Sequence, residues 1–214
     1  MTGGAGVLLV GNVLFPRADD PWDVAGVLTM MANEQGLRQA SFLLVTGGLW
    51  AATAGLVAFD RRLTDEPAVL WARWGRHLAV VGLALFTAAS ALGLAATGAA
   101  VTWVEAGADP AGPQYAVAAA LNLADDTVWY LSIVAYWSAL ALYGLAMVRS
   151  ERVPTWLGWW GLAGGVATAG AVGVPLAVGV EAMVLLLTFG VLAALSTLWL
   201  LTLGIWELRG ARAR

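Results

Sequence analysis

Long apolar runs constrain the fold of this chain more than any other feature. A helix rises about 1.5 Å per residue, so crossing a hydrocarbon layer of about 30 Å takes roughly 20 apolar residues. Runs of about this length occupy residues 37–59, 78–104, 126–148, 155–174 and 182–206, and a shorter one occupies residues 1–15. Only 12% of the residues are charged, against about 25% in soluble domains. The sequence therefore predicts an all-α integral membrane protein, a single domain with a bundle of about six transmembrane helices.

Three segments do not fit a simple crossing. The run at residues 1–15 is too short, so we expect either flanking residues to complete it or its true start to lie upstream. Apolar residues recur at helical spacing in residues 22–35, which predicts a short interfacial amphipathic helix. The apolar pattern of residues 114–148 is longer than one crossing needs. We therefore interpret residues 114–124 as a separate short or re-entrant helix before the fourth span.

The arginines predict the orientation in the membrane. All eleven basic residues are arginine, and alternate loops carry very unequal numbers of them. Cytoplasmic loops of membrane proteins are enriched in Lys and Arg. The bias therefore places both termini in the cytoplasm, in the cell membrane of a prokaryote, since arginine-only usage with abundant Ala and Gly is typical of GC-rich prokaryotic sequences. Only Arg17 and Arg38 fall on the external side; the others are Arg61, Arg62, Arg73, Arg76, Arg149, Arg152, Arg209, Arg212 and Arg214.

Composition excludes several classes of site. The chain has no cysteine, no lysine and one histidine, which rules out disulfides, thiolate metal sites and Schiff-base cofactors. The net charge of −3 gives no reason to expect nucleic acid as a partner. Motifs of P-loop ATPases, serine hydrolases and zinc proteases are missing from the sequence. We therefore predict no cofactor and no metal, with the lipid bilayer and an apolar ligand as the expected partners.

Two adjacent carboxylates, Asp125 and Asp126, stand one helical turn before Trp129 and Tyr130. A carboxylate so close to hydrocarbon is costly and is by default a functional-site hypothesis. Such a pair can relay protons, bind a cation or act as a general acid. The alternative is that both acids cap the amino end of the fourth span and complement its dipole. The sequence leaves both interpretations open.

Other residues are candidates for the same external site. Glu181 opens the sixth predicted span, where it is either a further catalytic candidate or a helix cap. Arg38 can compensate charge at that depth through a salt bridge to one of the acids. Tryptophans deep in the spans either line a cavity or pack in the core. The candidate ligand-lining residues are Asn122, Trp129, Tyr130, Trp137, Trp50 and Arg38.

Small residues recur at every fourth position of the fifth predicted span. This pattern allows the backbone of a neighbouring helix to approach closely, as in the small-xxx-small mode of membrane helix packing. The neighbour belongs either to the same chain or to a second copy, so a homo-oligomer is one prediction. The residues of this face are Gly161, Gly165, Ala169 and Gly173.

The start of the fifth span resembles a known family. Residues 153–165 read VPTWLGWWGLAGG, and a Leu-Phe-Pro element occurs at residues 14–16. Both are similar to a prokaryotic multi-pass family catalogued as domain of unknown function 4386, as is the arginine-rich first cytoplasmic loop. The resemblance implies six or seven membrane helices and a first span that tends to start further upstream. It implies no activity and no catalytic residues.

Three functions remain in competition at this point. The first is a non-enzymatic membrane protein that binds a lipid or another apolar ligand, or that assists a partner. The second is a small proton- or cation-coupled transporter that uses the external carboxylates. The third is a membrane-embedded acid–base enzyme acting on a lipid or isoprenoid. The sequence favours the first, because polar groups inside the spans are few and no catalytic motif is present.

Overall fold

The computed structural model of the chain describes residues 1–178 and 182–212, and these residues form an all-helical bundle without strands. The described residues contain seven α-helices, and a 3₁₀ turn at Asp60–Arg62 follows the third of them. Their bounds are α1 Thr2–Leu14, α2 Val24–Asn33, α3 Gln35–Phe59, α4 Glu66–Glu105, α5 Pro113–Val148, α6 Thr155–Val178 and α7 Ala182–Arg212.

Five of the described helices are long and apolar enough to cross a membrane, which confirms a multi-pass helical membrane protein. They are α3 to α7. The first helix has only 13 residues and is about 20 Å long. Its first residues lie beside Gly55 of α3 and Gly204 of α7. A sixth crossing by α1 therefore stays a prediction.

The helices α4 and α5 are much longer than a membrane requires. They contain 40 and 36 residues, which correspond to about 60 Å and 54 Å. The prediction of a separate or re-entrant helix at residues 114–124 is wrong, because α5 runs without interruption from Pro113. Part of the extra length forms a hairpin of α4 and α5 that extends past the contacts of Arg38 with Thr97 and Asp125.

The short helix α2 covers this projecting hairpin. The amphipathic pattern predicts a helix at residues 22–35, and α2 lies within this range but is two residues shorter at each end. Its buried residues Leu28 and Met31 pack against α4 and α5, forming a second core with Ala100, Trp103 and Ala118. Protein contacts therefore cover the apolar side of α2 and stabilise the extra turns of α4 and α5.

Glycines bring some helix pairs into direct backbone contact. Gly4 of α1 meets the backbone of α3 at Gly48 and Ala52. On the other side of the bundle, Gly165 of α6 meets the backbone of α5 at Ala141, and Gly161 faces the indole ring of Trp199 in α7. The small-residue face of α6 is thus used within the chain. Homo-oligomerisation stays a prediction, and a second copy would have to approach a surface other than Gly161 and Gly165.

One end of the bundle collects most of the arginines, and we call it the arginine-rich end. Here the 3₁₀ turn and the start of α4 meet the ends of α5 and α7. Arg62 Nε lies 3.3 Å from Glu207 Oε1, and Arg76 Nη1 lies 3.5 Å from Asp60 Oδ2. Ser150 Oγ donates a hydrogen bond of 2.8 Å to Asp65 Oδ2. These contacts tie the loops of this end together.

Candidate functional site

A buried arginine occupies the end of the bundle opposite the arginine-rich end. Arg38 lies in the first turns of α3 and is 5% exposed. Its Nη2 lies 3.7 Å from Oδ2 of Asp125, which is 6% exposed, and its Nε donates a 3.0 Å hydrogen bond to Thr97 Oγ1 of α4. A salt bridge between Arg38 and one of the acids is thus present, and the acid is Asp125. Three helices meet at this ion pair.

Two phenyl rings enclose the guanidinium group. The Cζ atom of Arg38 lies 5.0 Å from the ring centroid of Phe15 and 5.0 Å from that of Phe42. A cation over an aromatic face is attracted by the ring quadrupole, most strongly where water is excluded. Phe15 directly follows α1, so this helix also contributes to the enclosure. We call Arg38, Asp125, Thr97, Phe15 and Phe42 the Arg38 centre.

The position of Asp125 and Asp126 in α5 decides one question left open by the sequence. The helix begins at Pro113, so both acids lie more than three turns inside it. The interpretation as helix caps is therefore wrong, because only the first turn of a helix offers unpaired N–H groups and the positive end of its dipole. Asp125 turns into the bundle, whereas Asp126 is exposed and accepts a 3.3 Å hydrogen bond from Asn122 Nδ2.

The Arg38 centre requires a glycine on α4. A Cβ atom at Gly93 would collide with Phe42 Cζ and would lie 2.8 Å from Asp125 Oδ2. Both neighbours are ends of side chains that can move, so a methyl group is accommodated by displacing them. Phe42 and Asp125 would then shift away from their present contacts with Arg38.

We expect Gly93→Ala to lower the free energy of unfolding by about 1–2 kcal/mol, because the methyl group displaces the ring and the carboxylate from Arg38. SDS titration in mixed micelles measures this difference. The control is Gly98→Ala on the same helix, where nothing lies within 4 Å of the added carbon, and it should be neutral or stabilising. Equal stability of the two variants would contradict this assignment.

The other predicted site residues are spread along the bundle. Trp129 and Tyr130 are half-buried, with ring centroids 5.3 Å apart, and Trp137 is buried in the main core. Trp50 lies about 18 Å from Arg38 along α3. Glu181 lies outside the described residues. Among the residues that the structure describes, no three His, Asp or Glu side chains are grouped as a metal would require.

An open groove runs along the outside of α3 and α4, with a volume of about 370 Å³. Trp50 is 55% exposed there, and its indole Nε1 donates a 3.1 Å hydrogen bond to Thr87 Oγ1. The groove ends at Arg61, at the arginine-rich end. Its lining residues are Trp50, Thr53, Ala54, Val57, Ala58, Arg61 and Leu83.

A second cavity of about 270 Å³ lies in the connection between α1 and α2. Its lining is polar and apolar in about equal parts and includes Arg17, Asp19, Asp20 and Asp23. Neither of these two cavities is lined by Asp125 or Asp126.

The sequence identified Trp50 as a lining residue of the groove but not Arg61, which is one of many arginines at its end of the bundle. Phe42, Gly93 and Thr97 carried no signal, because such residues are ordinary in apolar helices, and Phe15 drew notice only as part of the Leu-Phe-Pro element.

Comparison with known proteins gives a family but no activity. A family model described as Domain of unknown function (DUF4386) matches residues 1–206. No curated protein matches the chain, and no solved structure does.

Proposed function

We propose that this chain, which belongs to the DUF4386 family, binds a phospholipid with an anionic headgroup in the groove between α3 and α4. The observation that carries the proposal is the composition of the groove: apolar and small side chains along its length and a single cation, Arg61, at its end. An amphiphile has the same distribution, with hydrocarbon over most of its length and charge at one end.

The length of the groove fits one leaflet of a bilayer. Trp50 and Arg61 are eleven residues apart, which is about 16 Å along a helix. Half of a hydrocarbon layer of about 30 Å is about 15 Å. An acyl chain can therefore lie against Val57 and Ala54 from the membrane midplane to the headgroup level. The volume of about 370 Å³ also falls within the range of small-molecule sites, about 300–1,000 Å³.

The charge at the end of the groove is available to a ligand. Arg61 is exposed, and within the described part of the chain it has no carboxylate at ion-pair distance. Two nearby arginines do have a carboxylate partner, since Arg62 is paired with Glu207 and Arg76 with Asp60. An arginine without an internal partner can bind a phosphate oxygen through charge-assisted hydrogen bonds.

The orientation that the arginines predict puts this charge where anionic lipids are. We place the arginine-rich end in the cytoplasm on the positive-inside rule. The groove then faces the cytoplasmic leaflet, which carries the negative surface potential of a cell membrane. This placement is part of the proposal. Turnover of the lipid is the weaker alternative, because the best acid–base candidates, Asp125 and Asp126, do not line the groove.

Lipid titration of the delipidated protein tests the proposal. A basic residue near an anionic membrane surface contributes about 1 kcal/mol, so Arg61→Gln should weaken binding of phosphatidylglycerol about fivefold. Native mass spectrometry measures the bound fraction, with phosphatidylcholine as the zwitterionic comparison. The matched control is Arg209→Gln, which removes an exposed arginine from the same end of the bundle but not from the groove.

Two outcomes would contradict the proposal. One is equal binding of phosphatidylglycerol by Arg61→Gln, Arg209→Gln and the unmodified chain. The other is an absence of preference for the anionic lipid in the unmodified chain.

A third variant, Ala58→Trp, tests the part of the groove that holds the acyl chain. The added indole ring fills the space there and should reduce binding of both lipids.

A further inference from the structure

The face of α3 that turns towards α4 and α5 carries a series of polar contacts, which we call the α3 seam. Its members are Arg38, Thr46 and Thr53 of α3 and Asp60, which directly follows α3, and each contacts a polar side chain of α4 or α5. Thr46, Thr53 and Asp60 follow one another at intervals of seven residues, which keeps them on one side of the helix. The seam therefore runs along the whole of α3.

Each end of the seam is closed by an ion pair. At one end Arg38 of α3 pairs with Asp125 of α5 at 3.7 Å. At the other end Asp60, which directly follows α3, pairs with Arg76 of α4 at 3.5 Å. Arg38 and Asp60 are 22 positions apart, which is about 33 Å along a helix. This is close to the hydrocarbon thickness of about 30 Å, so the seam is long enough to cross the hydrocarbon layer.

The interior of the seam is made of hydroxyl groups. Thr46 Oγ1 lies 2.9 Å from Ser90 Oγ, and Thr53 Oγ1 lies 3.0 Å from the hydroxyl oxygen of Tyr136. The buried hydroxyl of Tyr143 lies beside Asp60. A hydroxyl group both donates and accepts hydrogen bonds. Ser90 Oγ and Thr53 Oγ1 donate to the carbonyl oxygens of Phe86 and Leu49 in their own helices, so both hydroxyls must rotate before they relay a proton. A metal cation would instead need carbonyl or carboxylate ligands.

The interface that contains the seam is formed by side chains and not by a glycine-mediated backbone contact. The pairs α1–α3 and α5–α6 are in backbone contact through their glycines. The backbones of α3 and α5 scarcely approach one another, and the contacts Arg38–Asp125 and Thr53–Tyr136 connect the two helices through side chains. A movement of α3 along this interface changes the polar contacts of the seam and the apolar contacts of α3 in the main core, and it leaves the two glycine-packed pairs intact.

We propose that the α3 seam is a transmembrane proton pathway with two gates, Arg38–Asp125 and Asp60–Arg76. A proton that binds an oxygen of Asp125 removes the negative charge that holds Arg38, which opens the first gate. A movement of α3 admits water, and this water bridges the intervals of about 10 Å between the hydroxyl pairs. The proton then passes to Asp60, and the loss of charge there releases Arg76. The exposed Asp126 adds negative charge at the entrance, which attracts cations.

Proton flux into liposomes tests the pathway. A valinomycin-clamped potassium gradient drives the flux, and an internal pH-sensitive dye reports it. The unmodified chain should acidify the lumen, and Asp125→Asn and Asp60→Asn should each reduce the rate at least about tenfold. Asp19→Asn, an exposed acid in the α1–α2 connection, is the control and should keep the full rate. A rate no higher than in protein-free liposomes, or full rates in both seam variants, would overturn the proposal.

A reversible cross-link tests the opening of the seam without removing either gate. The chain contains no cysteine, so an engineered pair is the only site at which a disulfide can form within the chain. Thr46→Cys with Ser90→Cys places two sulfur atoms where the oxygens are 2.9 Å apart. Gly164→Cys with Ser196→Cys is the control between α6 and α7, where an added Cβ lies 3.5 Å from the Ser196 oxygen.

Oxidation of the Thr46–Ser90 pair should reduce the flux at least about tenfold, and reduction should restore it. Oxidation of the Gly164–Ser196 pair should leave the flux unchanged. An oxidised Thr46–Ser90 pair that conducts at the rate of its reduced form would overturn the proposal. Mass spectrometry of the oxidised proteins establishes that each disulfide has formed.

Discussion

Replacing Arg38 by methionine is expected to lower the free energy of unfolding by about 3–5 kcal/mol. The reason is not the strength of the ion pair, whose atoms are 3.7 Å apart. The substitution leaves Asp125, which is 6% exposed, without its cation, and Thr97 without the Nε donor. Methionine fills the space between Phe15 and Phe42, so the loss of charge dominates the effect. SDS titration in mixed micelles measures the change.

The double variant Arg38→Met/Asp125→Leu distinguishes a buried pair from two independent surface charges. Replacing both members of a buried ion pair by apolar groups is often neutral or stabilising. We therefore expect the double variant to be more stable than Arg38→Met alone. The control is Arg17→Met, which removes the other arginine of this end at an exposed position and should change stability by less than about 0.5 kcal/mol. Additive losses in the double variant would contradict the pairing.

The second large effect is expected at the contact between α5 and α6. A Cβ atom at Gly144 would collide with the backbone of α6 at Leu162, and one at Gly165 would collide with the backbone of α5 at Ala141. A backbone cannot move aside as a side chain can, so the whole helix pair has to separate. We expect Gly144→Ala and Gly165→Ala each to lower the free energy of unfolding by about 1–3 kcal/mol.

Gly170 provides the matched control for this contact. It lies in α6 as Gly165 does, but nothing lies within 4 Å of a Cβ atom added to it. Gly170→Ala should be neutral or stabilise the helix by up to about 1 kcal/mol. The thermal midpoint in detergent, followed by size-exclusion chromatography, reports both effects. If Gly165→Ala is as stable as Gly170→Ala, the close approach of α5 and α6 is contradicted.

Hydropathy predicted the five long apolar helices α3 to α7, but the excess length of α5 was misinterpreted. The sequence of residues 114–124 is rich in alanine and contains no Gly or Pro, so nothing in it ends a helix. The break was inferred from membrane thickness alone. Helices can extend beyond the membrane where protein covers them, and α2 covers this extension through Leu28 and Met31. Contact with a tertiary partner of this kind cannot be predicted from the hydrophobic periodicity of the helix that it covers.

The Arg38 centre was only partly accessible to sequence reasoning. The cost of an isolated charge near hydrocarbon indicated that Arg38 needs an acid, but several acids were expected on the same side. Arg38 pairs with Asp125 because of how α3 and α5 are rotated about their axes. Packing between residues that are far apart in the sequence determines this rotation. Thr97 is 59 positions from Arg38, and no local pattern connects them.

A structure determined in nanodiscs that contain phosphatidylglycerol tests the central proposal most directly. We predict density for an acyl chain in the α3–α4 groove, extending from Trp50 along Val57 to a headgroup at Arg61. The same preparation of Arg61→Gln should lose the headgroup density. A groove that contains no ordered lipid in the unmodified protein, or lipid whose headgroup lies away from Arg61, would contradict the proposal.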